Sequence, residues 1–258
     1  MGLFFPQTEL RPGVRYTGFA RYRQIIERDW KDFILVGFIT LLYYIPLGLG
    51  LGYAILSQSL LVMLASSLAG GFFAAPGLAC MYDLILRRLR DDRSDWWICY
   101  KKSMRQNLRA SLLPGVIQCL FMGCVVFSGG LLWWGEGTFS WGTVALILFS
   151  SLVAEMILTI WWPQVVLFDQ KPLIQVKNCI LFIITHLGPV LKASAIQVIW
   201  WLVAFLFLPW TAFLIPVLGV WYILFLAMFT VYRSLDEAFH IEEQIEEHFP
   251  GQIDRGED

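Results

Sequence analysis

Glu155 is the residue whose type and position most suggest chemistry. It stands fourteen positions from both Trp141 and Asp169, inside one apolar run. At about 1.5 Å of rise per residue it lies about 21 Å from either point, near the centre of a bilayer if the run crosses one. An ionised carboxylate is expensive there. Such a group faces the interior of a helix bundle and marks a proton or substrate path, or else stays neutral and hydrogen-bonds a neighbouring helix. Ser151 and Thr159 lie four residues to either side and extend it into a polar ridge on one helix face. No lysine or arginine lies deep in an apolar run, so the nearest expected partners are the amides Gln118 and Gln197. Both a structural and a proton- or substrate-linked role fit this pattern.

Other groups carry weaker signals. Asp83 and Asp169 each end an apolar run and form the one carboxylate pair that would suit an intramembrane enzyme acting on a lipid-linked substrate. Four Trp-Trp pairs occur, at 96–97, 133–134, 161–162 and 200–201. Aromatic faces can stack on sugars, but tryptophan is also the residue of membrane interfaces. His186 closes an apolar segment with no acid near it in sequence, which suits a helix-end or interfacial histidine. GxSxG, HExxH and phosphate-loop patterns are absent. The five cysteines and three histidines show no metal-ligand spacing, and no cysteine falls in an expected outer loop. No cofactor, metal, nucleic-acid partner or enzymatic activity is therefore expected.

The elements that must position these residues are membrane helices. Of the 258 residues, 58% are hydrophobic and 15% charged, against about 25% charged in a soluble domain. Crossing the hydrocarbon takes about 20 apolar residues. Six runs qualify, at 33–56, 60–84, 111–134, 141–168, 193–208 and 210–232. All 19 lysines and arginines fall in alternate gaps between them or outside them. The remaining gaps, Ser57–Ser59, the 133–141 turn with its lone Glu136, and Pro209, carry no cation. Cations mark the cytoplasmic side. The sequence thus predicts an all-α membrane protein of the cell membrane, multi-pass, with six transmembrane helices, both termini cytoplasmic, and amphipathic cytoplasmic surface helices. Its parts are a cytoplasmic N-terminus with an interfacial helix (1–32), a six-span domain (33–232) with cytoplasmic segments at 87–110 and 169–192, and an acidic cytoplasmic tail (233–258). The bilayer is the first partner; the oligomeric state is open.

Four surface elements follow from periodicity. Phe19, Tyr22, Ile26 and Trp30 form a stripe that predicts a helix over 18–31 lying on the inner leaflet. Over 94–109, capped by Ser94 or Asp95, the residues Trp97, Tyr100, Met104 and Leu108 line one face and Lys102, Arg105 and Arg109 another. This helix reads as a lipid anchor or as a docking helix for a cytoplasmic partner, with Trp97, Tyr100, Lys101, Lys102 and Arg105 as the docking residues. Residues 171–187, opened by Pro172 and closed by Gly188-Pro189, are too short to span. They are expected to lie flat or dip in from the inside. Glu242, Glu243, Glu246 and Glu247 make an acidic helix face, solvated or paired with the basic 94–109 segment.

A weak internal repeat also shows. Pro76, Tyr82-Asp83 and Arg109-Ala110-Ser111 recur 83 to 87 positions later as Pro163, Phe168-Asp169 and Lys192-Ala193-Ser194. Duplicated units of this kind underlie many transporter folds.

Three stretches carry a family resemblance: Phe72-Phe73-Ala74-Ala75-Pro76-Gly77-Leu78, then Arg87-Arg88-Leu89-Arg90-Asp91-Asp92, then Trp96 to Asn107. A proline with a small residue late in the second span, a basic turn, and a Trp-rich amphipathic segment before the third span resemble the YesL-like family. These are Gram-positive integral membrane domains of unknown function. The resemblance covers about residues 30–120. It departs in the first span, where Leu35-Val36-Gly37-Phe38 stands in place of a frequent Asn-Leu-Leu. The family often accompanies carbohydrate-uptake transporters, so the resemblance implies an accessory or regulatory component, with transporter subunits or another membrane protein as partner. The family has no assigned catalytic residues to carry over. The alternatives are a small secondary transporter using Glu155, and the intramembrane enzyme.

Overall fold

The computed structural model of the chain describes residues 15–92, 94–134, 140–207 and 210–248, and the described secondary structure is helical. Arg11, Arg93, Arg255, the 135–139 turn with Glu136, and Pro209 lie outside the described residues. Among the described residues eight α-helices run in order: α1 (Gly18–Leu56), α2 (Leu60–Leu89), α3 (Trp96–Trp134), α4 (Trp141–Leu167), α5 (Pro172–Thr185), α6 (Leu187–Leu206), α7 (Trp221–Phe239) and α8 (Ile241–His248). A short π-helical turn, Ile215–Gly219, leads into α7. Among the described residues, six stretches are long and apolar enough to cross a membrane: α1, α2, α3, α4, α6, and Ile215–Phe239 containing α7. The protein is a polytopic membrane protein.

Local chemistry sets the helix ends. The Ser59 hydroxyl accepts from the Val62 amide and opens α2. The Asp95 carboxylate accepts from the amides of Trp97 and Ile98 and opens α3. Pro172 takes the first turn of α5, where its missing N–H is harmless. His240, with φ 49°, closes α7 in the left-handed conformation.

The centre of the bundle is α2. Its half from Ala74 to Leu86 is buried without a break and touches α1, α3, α4 and α7. Small residues allow α3 to come close: a Cβ added at Gly71 would lie 2.6 Å from Val116 Cα, and one at Gly115 would lie 2.9 Å from Ala75 Cα. Such backbone approach is how membrane helices gain packing energy without a hydrophobic driving force. The outward faces of α1, α2, α4 and α5 expose Leu49, Leu61, Leu146, Phe149, Leu181 and Ile184, as lipid-facing residues should.

Two expected surface helices differ from their predicted form. The stretch 18–31 is continuous with the first span in α1, a helix of 39 residues. Its Ile25 is buried and its Tyr22 packs against Phe225 and Phe229 of α7, so it belongs to the bundle rather than lying apart on a leaflet. The stretch 94–109 likewise runs directly into the third span as α3, also 39 residues long. Hydropathy stops at the first charges. A helix does not, because charged residues at its end are satisfied by water or by each other.

The N-terminal part of α3 keeps contact with α2: Cys80 Sγ meets the Tyr100 carbonyl at 3.6 Å, as Ala75 meets Gly115 further along. Pro114 stands inside the helix beside the second contact. The buried stripe of this segment is Cys99, Tyr100, Ser103 and Ser111, while Trp97 and Leu108 are exposed. The expected apolar face is therefore rotated, because small residues fit the close approach to α2 better than large ones.

As expected for its length, α5 does not span. Gln175, Cys179 and Phe182 turn inward, and Leu173, Ile174, Leu181 and Ile184 outward. The first two anchors tie it to the end of α4: Trp161 Nε1 donates to Gln175 Oε1 at 3.0 Å, and Gln164 Nε2 to Cys179 Sγ at 3.1 Å. It folds back on the preceding span, as the start of α3 folds back on α2 through Cys80 and Tyr100.

Candidate functional site

The polar ridge of α4 forms at the middle of the bundle. Glu155, Thr159 and Trp162 are spaced by four and three residues and share one face. Trp162 Nε1 donates to Gln118 Oε1 of α3 at 2.6 Å, and Gln197 Nε2 of α6 donates to Thr159 Oγ1 at 2.7 Å. Both expected glutamines therefore reach the ridge, but they bond Trp162 and Thr159 rather than Glu155. The ring of Trp162 stacks on Tyr82 of α2, with centroids 5.5 Å apart. Glu155 is half-buried, lies within electrostatic reach of Tyr44 and Tyr82, and has no hydrogen-bond partner among the described residues. Ser151 does not join the cluster; its hydroxyl donates to the Ile147 carbonyl of its own helix at 2.7 Å.

A second constellation, at the charged end of the bundle, was not foreseen from sequence. Asp91 follows α2 with φ 67° and accepts Arg21 at 2.6 Å and Arg28 at 2.7 Å, with Arg15 at 3.5 Å. Arg88 bonds Asp32 at 2.7 Å and the carbonyls of Asp92 and Ser94. Arg87 pairs with Asp83 at 3.0 Å and with Asp92 at 2.8 Å. Arg15 also grips Glu242 of α8 through two nitrogens, at 2.6 and 2.7 Å. The network thus links the segment before α1, α1 itself, the end of α2, the following turn and α8.

Burial pushes the Asp92 carboxyl up, but hydrogen bonds from Ser94 and the charge of Arg87 outweigh it and hold it below the ordinary carboxylate range. Arg90 is only 4% exposed, and its Nε and Nη1 have no hydrogen-bond partner among the described residues. Burial first, then the neighbouring Arg87, pushes it below the usual arginine range. Only one sequence signal pointed here: the dense run of both charge signs from Arg87 to Asp95. The pairing itself joins residues up to 227 positions apart and leaves no local trace.

The remaining predicted residues fall as follows. The Asp83 carboxylate is engaged by Arg87, and Asp169 is exposed beyond the end of α4. Trp161 and Trp162 are core residues, closed to any sugar. His186 ends α5, stacked on Phe182 and in hydrogen-bond contact with Thr185. Tyr100, expected at a docking face, is buried against α2 and stacked under Trp97. Trp97, Lys101, Lys102 and Arg105 are exposed. The acidic face of α8 meets Arg15 through Glu242, and among the described residues it makes no ion pair with the basic part of α3. Among those residues, no three His, Cys, Asp or Glu side chains gather as a metal site. No protein-family model, no curated protein and no solved structure matches this chain.

Proposed function

We propose that this chain is a non-enzymatic membrane protein, with both termini in the cytoplasm of a cell membrane, that serves as an accessory or regulatory component of a larger membrane assembly. The observation that carries this reading is the fixed character of the interior. On the α4 ridge, Thr159 and Trp162 are bonded to neighbouring helices, and the charged end is tied together through Asp91, Arg88 and Glu242. Such an interior suits a scaffold better than a bundle that must open alternately to each side. Carbohydrate uptake is the setting implied by the resemblance to the YesL-like family. The test is purification in mild detergents with crosslinking, followed by mass spectrometry. Recovery of transporter subunits supports the proposal. Recovery of the chain alone in every detergent, with and without crosslinker, overturns it.

One observation favours a second reading, a small secondary transporter. Glu155 is the one member of the ridge left without a hydrogen-bond partner among the described residues. A lone acid at mid-membrane is suited to carrying a proton or a cationic substrate. Proteoliposome flux that collapses in Glu155→Gln supports this version. Flux unchanged by the substitution eliminates it.

A further inference from the structure

Two groups of cations stand out among the described residues. Arg15, Arg21, Arg28, Arg87 and Arg88 are each engaged by carboxylates. Lys101, Lys102, Arg105 and Arg109 of α3 are exposed, and none has an acidic partner among the described residues. Lys101 instead rests over the ring of Trp97, 4.7 Å from its centroid. Lys171, Lys177 and Lys192 are exposed too, but they stand singly along the chain. The α3 group is a cluster. Lys101, Arg105 and Arg109 follow one another at every fourth residue, about 6 Å apart along one face. Ile98, Lys101, Lys102, Arg105 and Gln106 border a shallow groove of about 340 Å³.

From this arrangement we infer that the N-terminal part of α3 binds the phosphate of anionic lipid headgroups in the adjacent leaflet. Three observations choose lipid over an acidic protein. The first is depth. The uncharged stretch Ala110–Trp134 begins directly after Arg109, which places Arg109 at the hydrocarbon boundary. The headgroup layer is about 5–8 Å thick on each side. Arg105 then stands about 6 Å out, within that layer, and the long side chains of Lys101 and Lys102, about 10–12 Å out, can reach back to it. The second is the company they keep. Trp97 is 44% and Ile98 67% exposed beside them, an arrangement suited to the boundary between headgroup and acyl chain. The third is size. The groove is at the small end of ligand pockets, whereas a stable protein interface buries about 1,200 Å² or more. Lysine and arginine supply charge and donors to phosphate oxygens, and the Gln106 amide adds a donor.

The test uses the full chain in nanodiscs of zwitterionic lipid containing a minor share of phosphatidylglycerol. Native mass spectrometry counts the anionic lipids retained. The parent should retain them in excess of their share in the disc. Neutralising three cations together, Lys101→Gln with Lys102→Gln and Arg105→Gln, should reduce that excess at least about tenfold, since each basic group near an anionic surface contributes roughly a fivefold factor. The swap Lys102→Arg with Arg105→Lys should leave it unchanged. Excess inorganic phosphate should not displace the lipid, because it lacks the acyl chains that meet Trp97 and Ile98. Equal retention by the parent and the triple variant overturns the inference, and so does displacement by inorganic phosphate. Binding of a poly-glutamate peptide by the parent without lipid enrichment overturns it in favour of a protein-docking surface. If the triple variant fails to fold, the parent alone decides: no anionic excess over its share in the disc rejects the site.

Discussion

Replacing Asp91 should loosen the first helix from the second. Its carboxylate accepts two strong charged hydrogen bonds, from Arg21 and Arg28, and lies near Arg15. The Arg21 and Asp91 side chains are 8% and 6% exposed, so that pair interacts with little screening. Arg28 is a quarter exposed and Arg15 a third, which discounts their shares. Removing one partner of a buried pair costs about 3–5 kcal/mol, since the other charge is left uncompensated. Asp91→Asn keeps an acceptor oxygen and tolerates the left-handed backbone, so its cost should be about 2–3 kcal/mol. Asp91→Ala loses the acceptor and adds about 1–2 kcal/mol of strain at φ 67°. Asp91→Gly loses the acceptor without that strain. The expected order of stability is therefore parent, Asn, Gly, Ala. Thermal unfolding in a single detergent measures the order. Hydrogen exchange over 18–32 should show where the loss falls, with faster exchange there and little change in α4. An alanine variant as stable as the parent would refute the reasoning about the buried pair. An alanine variant equal to the glycine variant would refute the strain component.

Further outcomes follow from other parts of the molecule. Gly115→Ala should cost about 1–3 kcal/mol of stability through overpacking against Ala75. Gly188→Ala, at a position with open space, should cost nothing by the same melting assay. Stability should fall in acid partly through Asp92. Its folded pKa lies below 3.8, so its contribution is complete above that pH and is lost as pH falls beneath it. Asp92→Asn should remove that part of the acid dependence, visible as a flatter unfolding profile below pH 4. Topology is checked by single cysteines in a cysteine-free background: Gln106 and Glu237 should label from the cytoplasm and Gln58 from outside. Labelling of Gln58 from the cytoplasm contradicts the arrangement.

The spans were legible in sequence because lipid exposure demands long apolar runs, and the short turn at Ser57–Ser59 punctuates the first two of them sharply. The charged ends were less legible. There α1 and α3 carry on through Asp29, Arg28, Arg105 and Lys102, since nothing in a run of mixed charge forces a helix to stop. The ridge partners Gln118 and Gln197 could be named because an amide within an apolar run needs a bond. Which residue each would choose depended on helix rotation, and hydropathy does not encode rotation. The network around Asp91 stayed hidden for a different reason. Counting cations as leaflet-facing says nothing about acids folded beneath them, and Arg15 and Glu242 meet only in three dimensions.

The bond between Arg15 and Glu242 sets an order of assembly. A ribosome adding about 5–20 residues per second makes Glu242 roughly 10–45 s after Arg15, since 227 positions separate them. In that interval the first two helices can already be tied together, because Asp91 is synthesised early enough to receive Arg21 and Arg28. The face of α2 destined for α7 stays uncovered until the sixth span arrives. The nascent protein thus passes through a half-built stage whose charged end is closed on one side only. Arrival of α7 and α8 ends that stage by joining α8 to the segment before α1.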